Sequence, residues 1–335
     1  MTAMLEPLLE VRDLRVAISG REEERLAVAD IDFNVSRGEI LGLVGESGSG
    51  KSMSMLAVMG LLPSGMRASG SIRFKGQEIL GLPERHMRRL RGGRIAMIFQ
   101  DPMTALNPVL TVGAQITEAI TLHNRSLSSR ELRCRAIELM ELVAIPAPEK
   151  RFDQYPHEFS GGMRQRVVIA IAVANDPDLL IADEPTTALD VTIQAQIVDI
   201  LNKLRREKGV AIALITHDLG LVAGLADRIA ILYAGRIAES GKIDAVFKRP
   251  RHPYTAGLLA AVPSIDANIT RLHAIRGTPP SIADRPSGCQ FNPRCPFILP
   301  VCTECDPKLR RFGESVVACH RAEELDLAPV TADVH

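Results

Sequence analysis

The sequence predicts an α/β fold built on a largely parallel sheet. Short apolar runs alternate along the chain with longer stretches of helical periodicity, the pattern of strands joined by crossover helices. Three of those runs, "EILGLVG" (39–45), "LLIADEP" (179–185) and "VAIALIT" (210–216), are apolar at successive positions, as strands covered on both faces are. The first runs directly into a glycine-rich loop and a helical stretch, "GESGSGKS" (45–52) and "SMSMLAVMGLL".

The elements follow in order. A basic run, "RHMRRLRGGR" (85–94), reads as a solvated loop ahead of the strand "RIAMIF". "SSRE" (128–131) is a capping box, in which Ser128 accepts from the amide of residue 131 and Glu131 reaches back. Leu132, Ala136, Leu139, Met140 and Val143 then recur at helical spacing, with Cys134 as an inert member of the helix. Asp190 caps a helix that runs to Gly209, with Ile193, Ile197, Ile200, Leu201 and Leu204 as its buried stripe. Beyond residue 248 prolines accumulate and periodicity stops, which places a boundary between 250 and 285.

Composition narrows the class. The chain has 335 residues, 46% hydrophobic and 24% charged, enough for a sizeable core. Forty basic and 40 acidic residues cancel, so global charge does not point to nucleic acid. The opening "MTAMLEPLLEVRDLRV" carries acidic residues where a secretory signal would be basic and then apolar, and no run of about 18 apolar residues follows, so a cytoplasmic protein is expected.

"GESGSGKS" matches the phosphate-loop pattern G-x-x-x-x-G-K-S/T. Gly45, Gly48 and Gly50, with Glu46, Ser47 and Ser49 between them, let backbone amides wrap a polyphosphate without Cβ clashes. Lys51 would reach the outer phosphates and Ser52 a magnesium ion. At the end of "LLIADEP", Asp183 would hold that ion through water and Glu184 would orient or deprotonate the attacking water. "FSGGMRQR" (159–166) opens a helix at Ser160, Gly161 and Gly162, a second anion-binding start. Gln100 ends one strand in "FQDP", and His217 follows another in "ITHD".

In this order, the set resembles the ABC ATPase family: phosphate loop (45–52), Q-loop (Gln100), signature motif (160–164), which implies Ser160, Gly161, Gly162 and Gln165 as contacts to the ATP on the partner chain, Walker B with its glutamate (183–184), D-loop ("TALD", with Asp190) and switch histidine (His217). The resemblance implies a RecA-like core with an α-helical signature subdomain at roughly 101–175, within an ATPase domain at 1–255. It also implies two such domains paired head to tail, each ATP lying between one phosphate loop and the partner's signature helix. Gln100 and His217 would act with Glu184 in catalysis, and Gln100 would join Ser52 and Asp183 around Mg²⁺. One feature departs from the family: no aromatic precedes Phe33 to stack on adenine, which leaves Ile18 or Arg25 for that place.

"FQDPMTALNP", "PHEFSGGMRQRV", "RPRHPYTAGLLAAVP" and the tail pattern "GCxFxPRCPxxxxxC" before "VACH" resemble the ATPase subunits of bacterial oligopeptide/dipeptide ABC importers. That resemblance implies a second, sibling ATPase subunit, two permeases, an extracytoplasmic solute-binding protein and a peripheral position on the cytoplasmic membrane face. Segment 101–115 would grip a permease. Peptides are the implied solute, with nickel chelates or haem as alternatives. ABC-type ATPases of DNA repair form a rival class, but the insertions or coiled coils they carry between motifs have no counterpart here.

Five of the six cysteines lie between 289 and 319. In a reducing compartment such a cluster reads as metal ligands or catalysts rather than disulfides. Four thiolates suit Zn²⁺ or a 4Fe–4S cluster equally by count. Cys302 and Cys305 form a C-x₂-C pair, and His320 is a further candidate. The importer resemblance selects Cys289, Cys295, Cys302 and Cys319, leaves Cys305 as the alternative and favours the iron–sulfur cluster. A proline-rich extension at 256–335 has little core of its own, so a metal there would be structural.

Overall fold

In a computed structural model of the chain, the described residues are 6–19, 25–101, 105–187, 189–261 and 275–327. Their strands are β1 (Leu9–Ile18), β2 (Arg25–Val35), β3 (Ile40–Val44), β4 (Met66–Phe74), β5 (Gln77–Glu78), β6 (Ile95–Ile98), β7 (Leu179–Asp183), β8 (Ala211–Thr216), β9 (Arg228–Tyr233), β10 (Arg236–Lys242), β11 (Arg310–Phe312) and β12 (Ser315–Val317). Two compact units share them. One comprises Leu9–Asn34, Ile40–Leu80 and 215–327; the other comprises 6–8, Val35–Glu39 and Gly81–Leu214.

The first unit holds two sheets. β2-β1-β4-β5 is an N-terminal sheet in which β1 and β4 run antiparallel. The second has the order β11-β12-β10-β9-β3. β3 pairs parallel with β9, Val44 opposite Ile231, and all five β3 residues are buried, as its unbroken apolar run requires. From β9 outward the pairing turns antiparallel through β10 to β12 and β11. In this unit the parallel pairing read from the sequence is therefore confined to β3 and β9. The proline-rich tail adds two strands to the sheet, and the Ala318 amide donates to the Ala238 carbonyl at 2.8 Å. No division between the units falls at 250–285. Two 3-residue strands bury little apolar surface alone, so they are stable here as an edge extension of β10.

One buried carboxylate sits at that seam. Glu239 on β10 is fully buried and accepts from the amides of Arg251 and His252 at 3.0 Å. Burial pushes its carboxyl up to about 7 despite those donors.

The second unit sets the strands β8-β7-β6 beside helices. β6 pairs parallel with β7, Ile95 opposite Leu179. The helix Ser129–Leu142 carries the expected capping box, and Ala136, Leu139 and Met140 are buried on it, while Leu132 and Cys134 are not. It packs with the helices Val112–His123 and Gly161–Ala172. Asp190 caps Val191–Lys208 by accepting from Ile193 N at 2.9 Å, and Gly209 ends it. The basic run is not a loop. Glu84–Leu90 is helical, with Met87 buried and Arg88 and Arg91 reaching Glu84 at 3.1 and 2.8 Å. One acidic residue in the first turn offsets the clustered positive charge there.

Candidate functional site

In the first unit, β3 ends at Val44 and the glycine loop leads into the helix Lys51–Met59. Gly48 and Gly50 have φ of 78° and 101°, so the loop turns through conformations closed to most residues. Its backbone is pressed onto the end of β9, since a Cβ on Gly45 would lie 2.2 Å from the Leu232 carbonyl oxygen. The Gly235 amide donates to Ser49 O at 2.9 Å. Lys51 Nζ donates to the carbonyls of Gly45 and Glu46 at 2.7 and 2.9 Å, folded over the loop that an anion would fill. Ser52 opens the helix behind it and is half-buried. His217 directly follows β8 and is exposed.

The second unit carries the carboxylates. Asp183 ends β7 and is buried, whereas Glu184 sits just past it with φ of 48°. That left-handed backbone is uncommon for a non-glycine residue and turns the side chain out of the strand direction. Gln100 Nε2 donates to Glu184 Oε2 at 3.1 Å, and Thr187 Oγ1 donates to the same oxygen at 2.8 Å. The structure thus joins Gln100 to Glu184 as the motif order suggests and adds Thr187, whose hydroxyl had no signal beyond its place in the D-loop. Ala188 of that loop and residues 102–104 of the 101–115 segment lie outside the described residues.

Ser160 caps the helix Gly161–Ala172 by accepting from Met163 N. Ser160 and Gly161 are exposed, but Gly162 and Gln165 are buried. A Cβ on Gly162 would lie 2.6 Å from Ile193 Cγ2, so this glycine allows close helix packing. Gln165, 2% exposed, is therefore a core residue of this helix and not part of the surface that Ser160 and Gly161 present. It lies three residues beyond the buried Gly162, on the face of the helix that packs inward.

For adenine, Ile18 and Arg25 are half-buried and exposed respectively, and residues 20–24 between them lie outside the described set.

In the tail, Cys289, Cys295, Cys302 and Cys319 line one cavity of about 20 Å³, beside His252, Phe291 and His320. Cys305 is exposed and lines no part of it, and His320 Nε2 is 2.9 Å from the Cys305 carbonyl oxygen. Burial pushes the Cys289 thiol up to about 12 and raises Cys295 and Cys319 as well. By number, type and convergence the four thiols suit a metal group. Their spacing is not yet that of a coordination shell, because no three His, Cys, Asp or Glu side chains stand at metal-holding distance among the described residues. The cavity has room for about one water or one ion, less than a cubane needs.

Sequence reasoning missed two residues of this region. Tyr254 and Arg294 both contact Glu46 of the glycine loop, through the loop amide at 2.9 Å and through a paired carboxylate at 2.6 and 3.0 Å. Both stand inside quoted importer-like motifs, Tyr254 in "RPRHPYTAGLLAAVP" and Arg294 in the tail pattern, but nothing local ties either to the loop.

Comparisons with known proteins bear on the family and the fold. Residues 28–187 match the family model of the ABC transporter, and residues 238–302 match the oligopeptide/dipeptide transporter C-terminal region. The chain is 51% identical to the oligopeptide transport ATP-binding protein of Salmonella typhimurium over 90% of this chain and 89% of that one. It is 50% identical to the Escherichia coli protein of the same name, over 95% and 94%. It spans about half, 52%, of the length of the Mycobacterium tuberculosis and Mycobacterium bovis relatives, at 51% identity over 95% of this chain. Among solved structures, the ATP-binding cassette MJ0796, a dimer in a post-hydrolysis state bound to ADP and Pi, superposes with a TM-score of 0.63 at 28% identity, covering 70% of this chain and 98% of that one. CbiO1 from Clostridium perfringens, part of an ABC transporter complex, gives 0.63 at 29% identity, over 72% and 91%. With half of its residues shared along nearly the full length of two such relatives, the chain belongs to the oligopeptide and dipeptide transport ATP-binding proteins of the ABC transporter family.

Proposed function

We propose that this chain hydrolyses ATP to power import of di- and oligopeptides. In this reading it is half of an ATPase pair, most simply with a sibling subunit, at the cytoplasmic membrane face under two permeases fed by a solute-binding protein. No described helix is long and apolar enough to cross a membrane, which suits a subunit held there by its partners. The observation that carries the reading is the Glu184 carboxylate, turned out of β7 by its backbone and held by Gln100 and Thr187.

The chemistry follows from those placements. Loop amides and Lys51 bind the phosphates, and Lys51 exchanges the Gly45 and Glu46 carbonyls for phosphate oxygens. Ser52, Asp183 and Gln100 would hold Mg²⁺, which supplies charge neutralisation at the phosphates. Glu184 takes the proton of the attacking water while Gln100 and Thr187 hold its Oε2. His217 steadies the terminal phosphate. Ser160, Gly161 and Gly162 meet the nucleotide on the partner chain from a helix start, and Asp190 shapes the adjoining loop. Closure of the pair on ATP then drives the permeases, and hydrolysis resets them.

In this proposal residues 1–255 form the nucleotide-binding domain and 256–335 the extension that the C-terminal family match overlaps. The four cavity-lining cysteines would hold a structural 4Fe–4S cluster, with Zn²⁺ as the alternative. Binding either would displace protons from thiols that burial keeps neutral, and would require the cavity to open or its thiols to shift.

Reconstitution with permeases and binding protein tests the transport reading. Peptide-dependent ATPase activity coupled to peptide uptake is expected. ATP turnover that no peptide stimulates in the complete assembly would overturn the solute assignment.

A further inference from the structure

We infer that Arg294 and Tyr254 are positioning residues for the glycine loop, so that the cysteine-bearing tail sets the geometry in which ATP is received. The inference rests on the reading of 45–52 as the ATP phosphate loop.

Glu46, the second residue of that loop, is held twice from the tail side of the chain. Its carboxylate receives both terminal nitrogens of Arg294, at 2.6 and 3.0 Å. Its backbone amide donates to Tyr254 Oη at 2.9 Å. The Arg294 side chain is 4% exposed, and the Glu46 carboxylate compensates its charge in place. The guanidinium is further fixed by its Nε, which donates to the Arg276 carbonyl at 2.9 Å, and it lies over the rings of Tyr233 and Phe291. Tyr233, Tyr254 and Phe291 pack against one another with centroids 4.6 to 5.5 Å apart. A planar fork held this way fixes both the distance and the orientation of the carboxylate it grips.

What is gripped is the part of the loop that Lys51 uses. The Glu46 carbonyl accepts from Lys51 Nζ at 2.9 Å and from Ser49 N at 3.2 Å. The orientation of the Glu46 peptide therefore sets where the lysine ammonium rests and how the loop closes. Gly48 and Gly50, both at positive φ, give the loop little stiffness of its own, so an external fixture decides among its conformations. Arg294 closes the short turn Asn292–Arg294, between Cys289 and Cys295, and directly precedes Cys295. Any rearrangement of the thiols around their cavity is thus one residue from the side chain that holds the loop.

The test compares the full chain with its Arg294→Lys, Tyr254→Phe and Arg294→Ala variants, reading affinity for a fluorescent ATP analogue, KM and kcat for ATP, and melting temperature without nucleotide. Lysine keeps the charge and loses the fork, and phenylalanine keeps the ring and loses the acceptor. Positioning predicts that ATP affinity falls about five- to tenfold in Arg294→Lys and Tyr254→Phe while both remain folded. It also predicts that the exchange Glu46→Arg with Arg294→Glu recovers affinity relative to Arg294→Glu alone. If Arg294→Ala does not fold, the two milder variants carry the test. Unchanged ATP affinity in both, with a lowered melting temperature, would make the contact a staple of the fold and overturn the inference. A wild-type chain that binds no ATP, or a Lys51→Ala variant that binds it equally well, would instead overturn the reading of the loop.

Discussion

Gln100 and Glu184 stand 84 residues apart in sequence and meet through a hydrogen bond of 3.1 Å. Gln100 leaves β6 and Glu184 leaves β7, two strands paired in parallel, so both emerge at the same end of the sheet. In an open parallel sheet that end is where ligands are handled. Replacing Glu184 by Gln keeps the shape and removes the proton acceptor. Hydrolysis is expected to fall at least about 100-fold, with ATP still bound and the chain trapped in a pair. Single-turnover kinetics with size-exclusion chromatography read both effects, and normal turnover would show that Glu184 is not the base.

Gly162→Ala should disturb the signature helix from within. The new Cβ meets Ile193 Cγ2 at 2.6 Å on the helix Val191–Lys208. Overpacking of this kind costs about 1–3 kcal/mol. The double variant with Ile193→Ala should recover part of that loss in urea unfolding. Additive losses would mean that the two side chains do not share the space.

Glu239 makes stability depend on pH in a definite direction. Burial raises its carboxyl to about 7 from an ordinary 4.5, so the folded chain binds the proton more tightly than the unfolded one. Its contribution to stability is therefore present at low pH and is lost as pH rises from 4.5 through 7. Glu239→Gln removes the titration. The stability of the variant relative to the wild type should rise by about 3 kcal/mol between pH 4.5 and pH 8, whatever the fixed cost of the substitution. A difference that stays flat across this range would mean that the carboxyl titrates normally.

Cys319→Ser tests the thiol cavity. The proposed cluster predicts iron and acid-labile sulfide of about four each per chain in protein purified without oxygen, and their loss in the variant. The tail should become protease-sensitive before the ATPase core does. Metal content equal in both proteins would remove Cys319 from the ligand set, and one zinc without sulfide would identify the group as zinc.

What depends on short windows of chain was legible without a structure. Residues 39–52 contain an apolar run, a turn only glycines tolerate and a helix start, so the phosphate loop could be placed without a structure. Ser128 with Glu131, and Asp190 with the amide of Ile193, are caps whose partners lie within three residues. Gln165 was legible as a helix residue, but its inward orientation was not, because the facing element is distant in sequence. The basic run at 85–94 looked like a loop because charge outweighed the single acidic residue, Glu84, that opens a helix there and pairs with Arg88 within it and Arg91 just beyond it. Tertiary structure alone decided that the tail pairs with β10, that Cys289, Cys295, Cys302 and Cys319 face one cavity while Cys305 does not, and that Arg294 grips Glu46 from 248 residues away. Such contacts depend on which buried surfaces come together, and that is settled by packing of the whole unit rather than by the local preferences of the residues that meet.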